Sequence, residues 1–210
     1  MRKKINLNVI LLLFAAPFNF TVYGVGRMLA ANSPHFNITS PLDRYIPLIP
    51  WTILIYWVLG FALWIINYTI GTLRNVDGRR FIVSHYLGEI VCFVVFVLFP
   101  TTMDRPEIQV STIFDRLLAL TYQVDKADNL LPSIHCYASW LCWIAVRKNP
   151  YVSRWYRFFS LASAVAICIS TMTVKQHVIV DVITGIGLAE LSYFVAGKIR
   201  FLRAPESTDR

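Results

Sequence analysis

The sequence predicts an all-α fold, a polytopic membrane bundle of about six transmembrane helices. Two observations carry this expectation. Apolar residues make up 56% of the 210-residue chain and the mean hydropathy is +0.54, more than a soluble domain of this length needs. Those residues also fall in blocks of roughly 17–25, the length that crosses a hydrocarbon core. A soluble domain would have to bury every block at once. Neither an internal repeat nor a low-complexity segment is visible, so residues 1–210 read as one domain.

The first block, 7–30, follows the basic start Arg2-Lys3-Lys4 and opens like a signal peptide with Val9 to Ala16. The apolar run continues past Pro17 through Phe18, Phe20, Val22, Tyr23 and Val25, so it reads as an uncleaved first span. The second span is expected at 47–71, with Trp51 as an interfacial anchor. The third is expected at 82–100, the fourth at 132–147, the fifth at 156–173 and the sixth at 178–197. The connection 101–131 is long for a bundle. Within it Ile113, Leu117 and Leu120 recur at helical spacing. That pattern fits a helix lying flat in the interface as a lid or lipid-access ramp, and equally a short helix packed on the end of the bundle.

The net charge is +8. Fourteen of the 20 Lys and Arg residues fall in the N-terminus, 72–80, 147–157 and the C-terminal tail. The positive-inside rule then puts both termini in the cytoplasm and leaves 31–46, 101–131 and 174–177 outside. A nucleic-acid binder would gather its basic residues on one polar domain; none is present, and the bilayer is the expected partner. Short loops suit a bacterial cytoplasmic membrane. The sequon Asn37-Ile38-Thr39 has meaning only in a eukaryotic host. Cys92, Cys136, Cys142 and Cys168 all lie inside apolar blocks and read as small buried hydrophobes.

Three clusters carry chemistry, all at the same ends of their spans. In Lys175-Gln176-His177-Val178-Ile179-Val180-Asp181, His177 and Asp181 are four apart and would share a helix face. A carboxylate there fixes the imidazole tautomer and leaves the other ring nitrogen as nucleophile or base. Ionisable residues at membrane depth are costly and mark function; the alternative is a paired polar contact between helices. In Leu131-Pro132-Ser133-Ile134-His135, Pro132 suits a first helical position. The free amides after it, at Ser133 and Ile134, make an anion site. His135 stands at the mouth, as a site residue or as an interfacial histidine. In Phe99-Pro100-Thr101-Thr102-Met103-Asp104-Arg105-Pro106, Arg105 offers a planar fork for phosphate or a guanidinium snorkelling to headgroups. His35, His85, Glu89 and Glu190 read as structural or lipid-path polar residues. No thiolate or paired-carboxylate metal site, Gly-x-Ser-x-Gly elbow or Walker loop is present, so phosphoryl transfer without metal or other cofactor is expected, with the protein positioning the group and stabilising charge on its oxygens.

Taken together, these clusters resemble the signature motifs of the type 2 phosphatidic acid phosphatase superfamily, over about 99–185. Arg105-Pro106 resembles the Arg-Pro pair of the first motif. Pro132-Ser133-Ile134-His135 resembles Pro-Ser-Gly-His. Ser170 through His177 to Asp181 has the spacing of Ser-Arg-x5-His-x3-Asp. The resemblance implies that His177 attacks phosphorus, Asp181 orients it, and His135 protonates the leaving alkoxide before water hydrolyses the phosphohistidine. It also implies that Arg105, Ser133, Ile134 and Ser170 hold the phosphate. The chain departs from the family pattern at three points. No lysine stands near Leu98 or Phe99, Thr171 replaces the motif arginine, and Ile134 replaces the glycine; Lys175 is the candidate substitute cation. The expected substrate is a phospholipid or polyprenyl phosphate, cleaved on the outer face. The missing cations also suit a phosphotransferase, akin to sphingomyelin and inositol-phosphorylceramide synthases, that passes the group to a lipid alcohol. A third reading is a non-catalytic phospholipid-binding or transport protein.

Overall fold

The computed structural model describes residues 6–199. The basic residues Arg2, Lys3, Lys4, Arg200, Arg203 and Arg210, which carry much of the expected orientation signal, lie outside the described residues. The fold is a helical bundle: α1 (Leu7–Ala30), α2 (Pro41–Arg44), α3 (Gly60–Leu73), α4 (Gly78–Leu98), α5 (Ile113–Val124), α6 (Ile134–Arg147), α7 (Arg154–Thr173) and α8 (Ile179–Ala196). A 3-10 turn, Pro50–Thr52, and a π-helical turn, Ile55–Leu59, run directly into α3. Two residues each, Phe36–Asn37 (β1) and Thr101–Thr102 (β2), pair in parallel, a short exception to the all-α expectation.

Five helical stretches are long and apolar enough to cross a membrane: Leu7–Ala30, Pro50–Leu73, Gly78–Leu98, Arg154–Thr173 and Ile179–Ala196. This is the pattern of a multi-pass membrane protein, and their apolar faces remain outward, as at Leu13, Phe14, Phe20, Ile65, Ile183 and Phe194. The fourth expected span, 132–147, is different. At 14 residues, α6 rises only about 21 Å, less than the roughly 30 Å hydrocarbon core. It lies at the centre of the bundle, packed against α3, α7 and α8, while α1 packs chiefly on α4. Tyr137, Leu141, Cys142, Ile144, Ala145 and Val146 of α6 are buried in the main core.

Close helix contact needs small residues. A Cβ on Gly88 of α4 would lie 2.2 Å from the Tyr137 hydroxyl. That hydroxyl is fixed, because it donates to the carbonyls of Ser84 (2.7 Å) and His85 (3.0 Å). Away from the chemistry-bearing clusters, several polar residues of the spans are paired. Glu190 accepts a two-pronged bond from Arg147 (2.5 and 2.9 Å), Asn19 donates to the buried Glu89 (2.8 Å), and His85 meets the Tyr68 hydroxyl (3.1 Å). His35 sits in the first connection, its ring 2.9 Å from the Ser33 carbonyl. The Asn37 amide donates to Asp104 (2.6 Å), so the sequon asparagine is engaged. All four cysteines are free and buried.

The connection 101–131 does fold partly as a helix. Thr112 and Asp115 form a reciprocal capping box that starts α5. Its outward face is the expected one, since Ile113, Leu117 and Leu120 are exposed. Its inward face, unseen in the periodicity, is Leu118, packed with Ile53, Tyr56 and Val174. Trp57 donates to Thr121 (3.1 Å) and Tyr122 to the Val174 carbonyl (2.8 Å), so α5 is docked on the end of the bundle with an apolar face left outward.

Candidate active site

The site grows from three chain entries that meet at one end of the bundle. The first is the turn between α7 and α8. In the last turn of α7 the Thr171 carbonyl accepts both the Gln176 and His177 amides (2.9 and 3.1 Å). Lys175 takes a positive φ of 54° to make that reversal. The turn delivers His177 just ahead of α8. Asp181 is in the first turn of α8, and one oxygen, Oδ2, accepts from both the Val178 amide (3.0 Å) and His177 Nδ1 (3.2 Å). The pair therefore meets across a helix start, and not along one helix face as the spacing suggests. The outcome for the imidazole is the same: Nδ1 is engaged and Nε2 remains.

The second entry is the start of α6. Pro132 stands one residue before the helix cap, not inside the first turn. Ser133 is the cap: its Oγ accepts the Cys136 amide (3.2 Å) and its own amide donates to the Asp181 carbonyl (3.2 Å). This last bond joins the second and third clusters directly. The joint is tight, because a Cβ on Gly185 would lie 2.6 Å from the Ser133 carbonyl. Upstream, the Thr101 hydroxyl oxygen accepts the Leu130 and Leu131 amides (3.0 and 3.1 Å), so β2 fixes the approach to Ser133. The first-turn amides of Ile134 and His135 point along the helix dipole, the usual anion position. His135 follows, with its ring centroid 5.8 Å from that of His177.

The third entry carries Arg105. Its guanidinium donates to the carbonyls of Lys175 (3.0 Å) and Asp125 (2.8 Å) and to the Gln176 side chain. It also lies over the Tyr122 ring, 4.6 Å from its centroid. Burial lowers the Arg105 pKa from its ordinary value, with the charge of Asp125 opposing. Arg105 thus clamps the site loops together, and two of its five N–H groups are left for a ligand. Arg105→Lys should lower stability by about 2 kcal/mol, because one ammonium cannot span three acceptors in one plane. Thermal unfolding in detergent measures this; an unchanged midpoint would contradict the clamp.

A cavity of about 490 Å³ opens between the first and third of these entries, lined by Arg44, Asp104, Arg105, Lys175 and His177 among others. That is ample for a phosphate headgroup. The expected site residues divide within it. His177, Arg105 and Lys175 line it. The Lys175 ammonium, however, donates to the carbonyls of Asp43 (3.0 Å) and Ile46 (2.5 Å), which commits two of its three protons. His135, half-buried, stands beside His177 and is not among the cavity residues. Ser133 is fully buried beneath, and its hydroxyl proton is its remaining donor. Ile134 turns its side chain to a separate apolar pocket shared with Trp64 and Tyr68, so its contribution to the site is its amide. Ser170 is buried one turn back, its hydroxyl donating to Ile167 (2.8 Å), and is not among the cavity residues.

Several residues of the site were not legible from spacing. Asp43, in the four-residue α2, accepts the Ile179 amide on one carboxylate oxygen (2.8 Å) and so holds the start of α8. Gln176 and Asp181 each keep one buried polar atom, Nε2 and Oδ1, without a partner among the described residues. Asp125 and Tyr56 stand behind His135. Among the described residues, no three His, Cys, Asp or Glu side chains gather as a metal site. No protein-family model matches this sequence, and no curated protein matches it.

Proposed function

We propose that this chain is a divergent member of the type 2 phosphatidic acid phosphatase superfamily that removes a phosphate or diphosphate ester from a membrane lipid through a phosphohistidine on His177. The carrying observation is the meeting of His177, tied through Nδ1 to Asp181, with His135 at a ring separation of 5.8 Å beside a cavity that Arg105 lines. In this reading the free Nε2 of His177 attacks phosphorus in line. Arg105, the Ser133 hydroxyl and the amides of Ile134 and His135 stabilise charge on the phosphate oxygens. His135 gives its proton to the leaving lipid oxygen and then takes one from the water that cleaves the phosphohistidine.

The six-span layout belongs to this reading, with α6 as the short fourth crossing helix, both termini in the cytoplasm and the cavity facing outside. So does the substrate class of phospholipid or polyprenyl phosphate. A second reading, transfer of the group to a lipid alcohol, draws support from the scarcity of free cations: Lys175 is engaged by backbone carbonyls and the motif arginine is Thr171.

The test is a panel of phosphatidate, phosphatidylglycerol phosphate and a polyprenyl diphosphate, given to purified protein in detergent without added metal. Free phosphate supports the hydrolase. A labelled new phospholipid, formed only when a lipid alcohol is present, supports the transferase. Lipid binding with no turnover of any donor would overturn both.

A further inference from the structure

His135 has a built environment of its own on the side away from His177. Tyr56, brought inward by the π-helical turn Ile55–Leu59, is buried. Its ring stacks on the His135 ring with centroids 4.4 Å apart. Its hydroxyl oxygen is 3.2 Å from Asp125 Oδ2 and 3.3 Å from His135 Nδ1. Asp125 Oδ1 accepts from the Tyr23 hydroxyl, and the Asp125 carbonyl accepts from Arg105. Arg27 anchors the same segment through the Val124 carbonyl (3.2 Å) and Asp128 (2.9 Å). Asp125 is therefore held from two sides, with its second carboxylate oxygen aimed at Tyr56.

The direction of these bonds follows from the donors available. A carboxylate only accepts, so the single proton of the Tyr56 hydroxyl goes to Asp125. The hydroxyl oxygen then offers a lone pair to His135, which must donate from Nδ1. We propose that Asp125 and Tyr56 are positioning residues that hold His135 in the Nδ1–H tautomer, so that Nε2 is the nitrogen that exchanges the proton with the leaving lipid oxygen and the incoming water. The proposal rests on the acid–base role of His135 in the reading above. The proton count closes. His135 enters the reaction as the imidazolium, with protons on both ring nitrogens. As the His177–phosphorus bond forms and the phosphorus–oxygen bond to the lipid breaks, the Nε2 proton passes to the lipid oxygen and leaves the neutral Nδ1–H tautomer. As water attacks phosphorus and the His177 bond breaks, a water proton returns to Nε2. Nδ1 keeps its proton and its bond to Tyr56 throughout.

Tyr56→Phe retains the stacked ring and removes the hydroxyl; Asp125→Asn retains the shape and removes the charge. With purified protein in detergent, each should slow hydrolysis of dodecyl phosphate, whose alkoxide needs a proton, by about tenfold or more. Each should change the first-turnover burst of p-nitrophenol from p-nitrophenyl phosphate, whose leaving group needs no proton and departs before water attack, by less than about twofold. Loss of equal size on both esters, or on neither, overturns the proposal. Imidazole 15N chemical shifts of the wild-type protein provide a readout independent of turnover. Neutral His135 should carry its proton on Nδ1, and Tyr56→Phe should release it toward Nε2. A wild-type His135 protonated on Nε2 alone overturns the tautomer assignment even if both esters are cleaved. The expected tautomer in a protein that cleaves neither ester would instead sink the phosphatase reading and leave the assignment standing.

Discussion

His177→Ala should reduce phosphate release from a lipid phosphate by about 10³-fold or more, because it removes the group that bonds to phosphorus. His135 cannot replace it, since its Nδ1 meets Tyr56 and its ring stands behind the cavity wall that His177 forms. The fold should survive. Among the described residues the one side-chain hydrogen bond of His177 is to Asp181, and Asp181 keeps its bond to the Val178 amide. The stability cost is then that of one charge-assisted bond, about 1–3 kcal/mol. The measurement is initial rate at saturating lipid, beside the unfolding midpoint of the same sample. Loss of rate with the midpoint nearly kept is the expected pair of results. Retention of rate would remove His177 from the reaction.

Asp181→Asn should lower the rate by about 10²- to 10⁴-fold and move the pH profile toward acid. Burial pushes the His177 pKa down, but the hydrogen bond and charge of Asp181 more than offset this, so the net shift is upward from the ordinary 6.5. The nucleophile is neutral imidazole, so the rate should rise as pH passes through that raised pKa. With asparagine the upward cause is gone and burial remains, so the rising limb shifts to lower pH while the plateau falls. The corresponding stability has the same sign. The attraction of protonated His177 to Asp181 is fully present below the ordinary histidine range and is lost as pH rises through the raised pKa. A pH series of rate and unfolding for both proteins checks both halves. An unmoved limb would mean that Asp181 serves only to start α8.

Much of this was legible in the sequence because membrane crossing leaves a strong signal. The apolar blocks locate the helices to within a few residues, since length and hydrophobicity are imposed by the bilayer. The helix α6 is the exception in length, because it sits at the bundle centre and contacts protein on its sides. His177 and Asp181 were legible because they are four residues apart, although a capped helix start and not a helix face joins them. Ser133 and His135 were legible as residues of a helix start, although Pro132 was expected at the first helical position and Ser133 is instead the cap.

What could not be read was set by distance along the chain. Tyr56 meets Asp125 across 69 residues and His135 across 79, and Tyr23 meets Asp125 across 102. No local periodicity carries such contacts, and the turn that aims Tyr56 is a π-helical irregularity in an otherwise apolar run. Lys175 illustrates the converse. Its position two residues before His177 suits a phosphate ligand, yet the carbonyls of Asp43 and Ile46, about 130 residues away, claim its ammonium. Burial lowers its pKa from the ordinary lysine value, with Asp43 opposing. Arg105 was expected to grip a ligand, and three of its donors grip the protein first.

The central claim is covalent chemistry at His177, and trapping the intermediate tests it most directly. Protein mixed with 32P-labelled phosphatidate or polyprenyl diphosphate, quenched in base within milliseconds and mapped by peptide, should carry acid-labile, base-stable label on the peptide containing His177. His177→Ala should carry none, and His135→Ala should accumulate label if its loss slows water attack more than lipid departure. Steady turnover with no label at His177, or label on a different residue, would contradict the account.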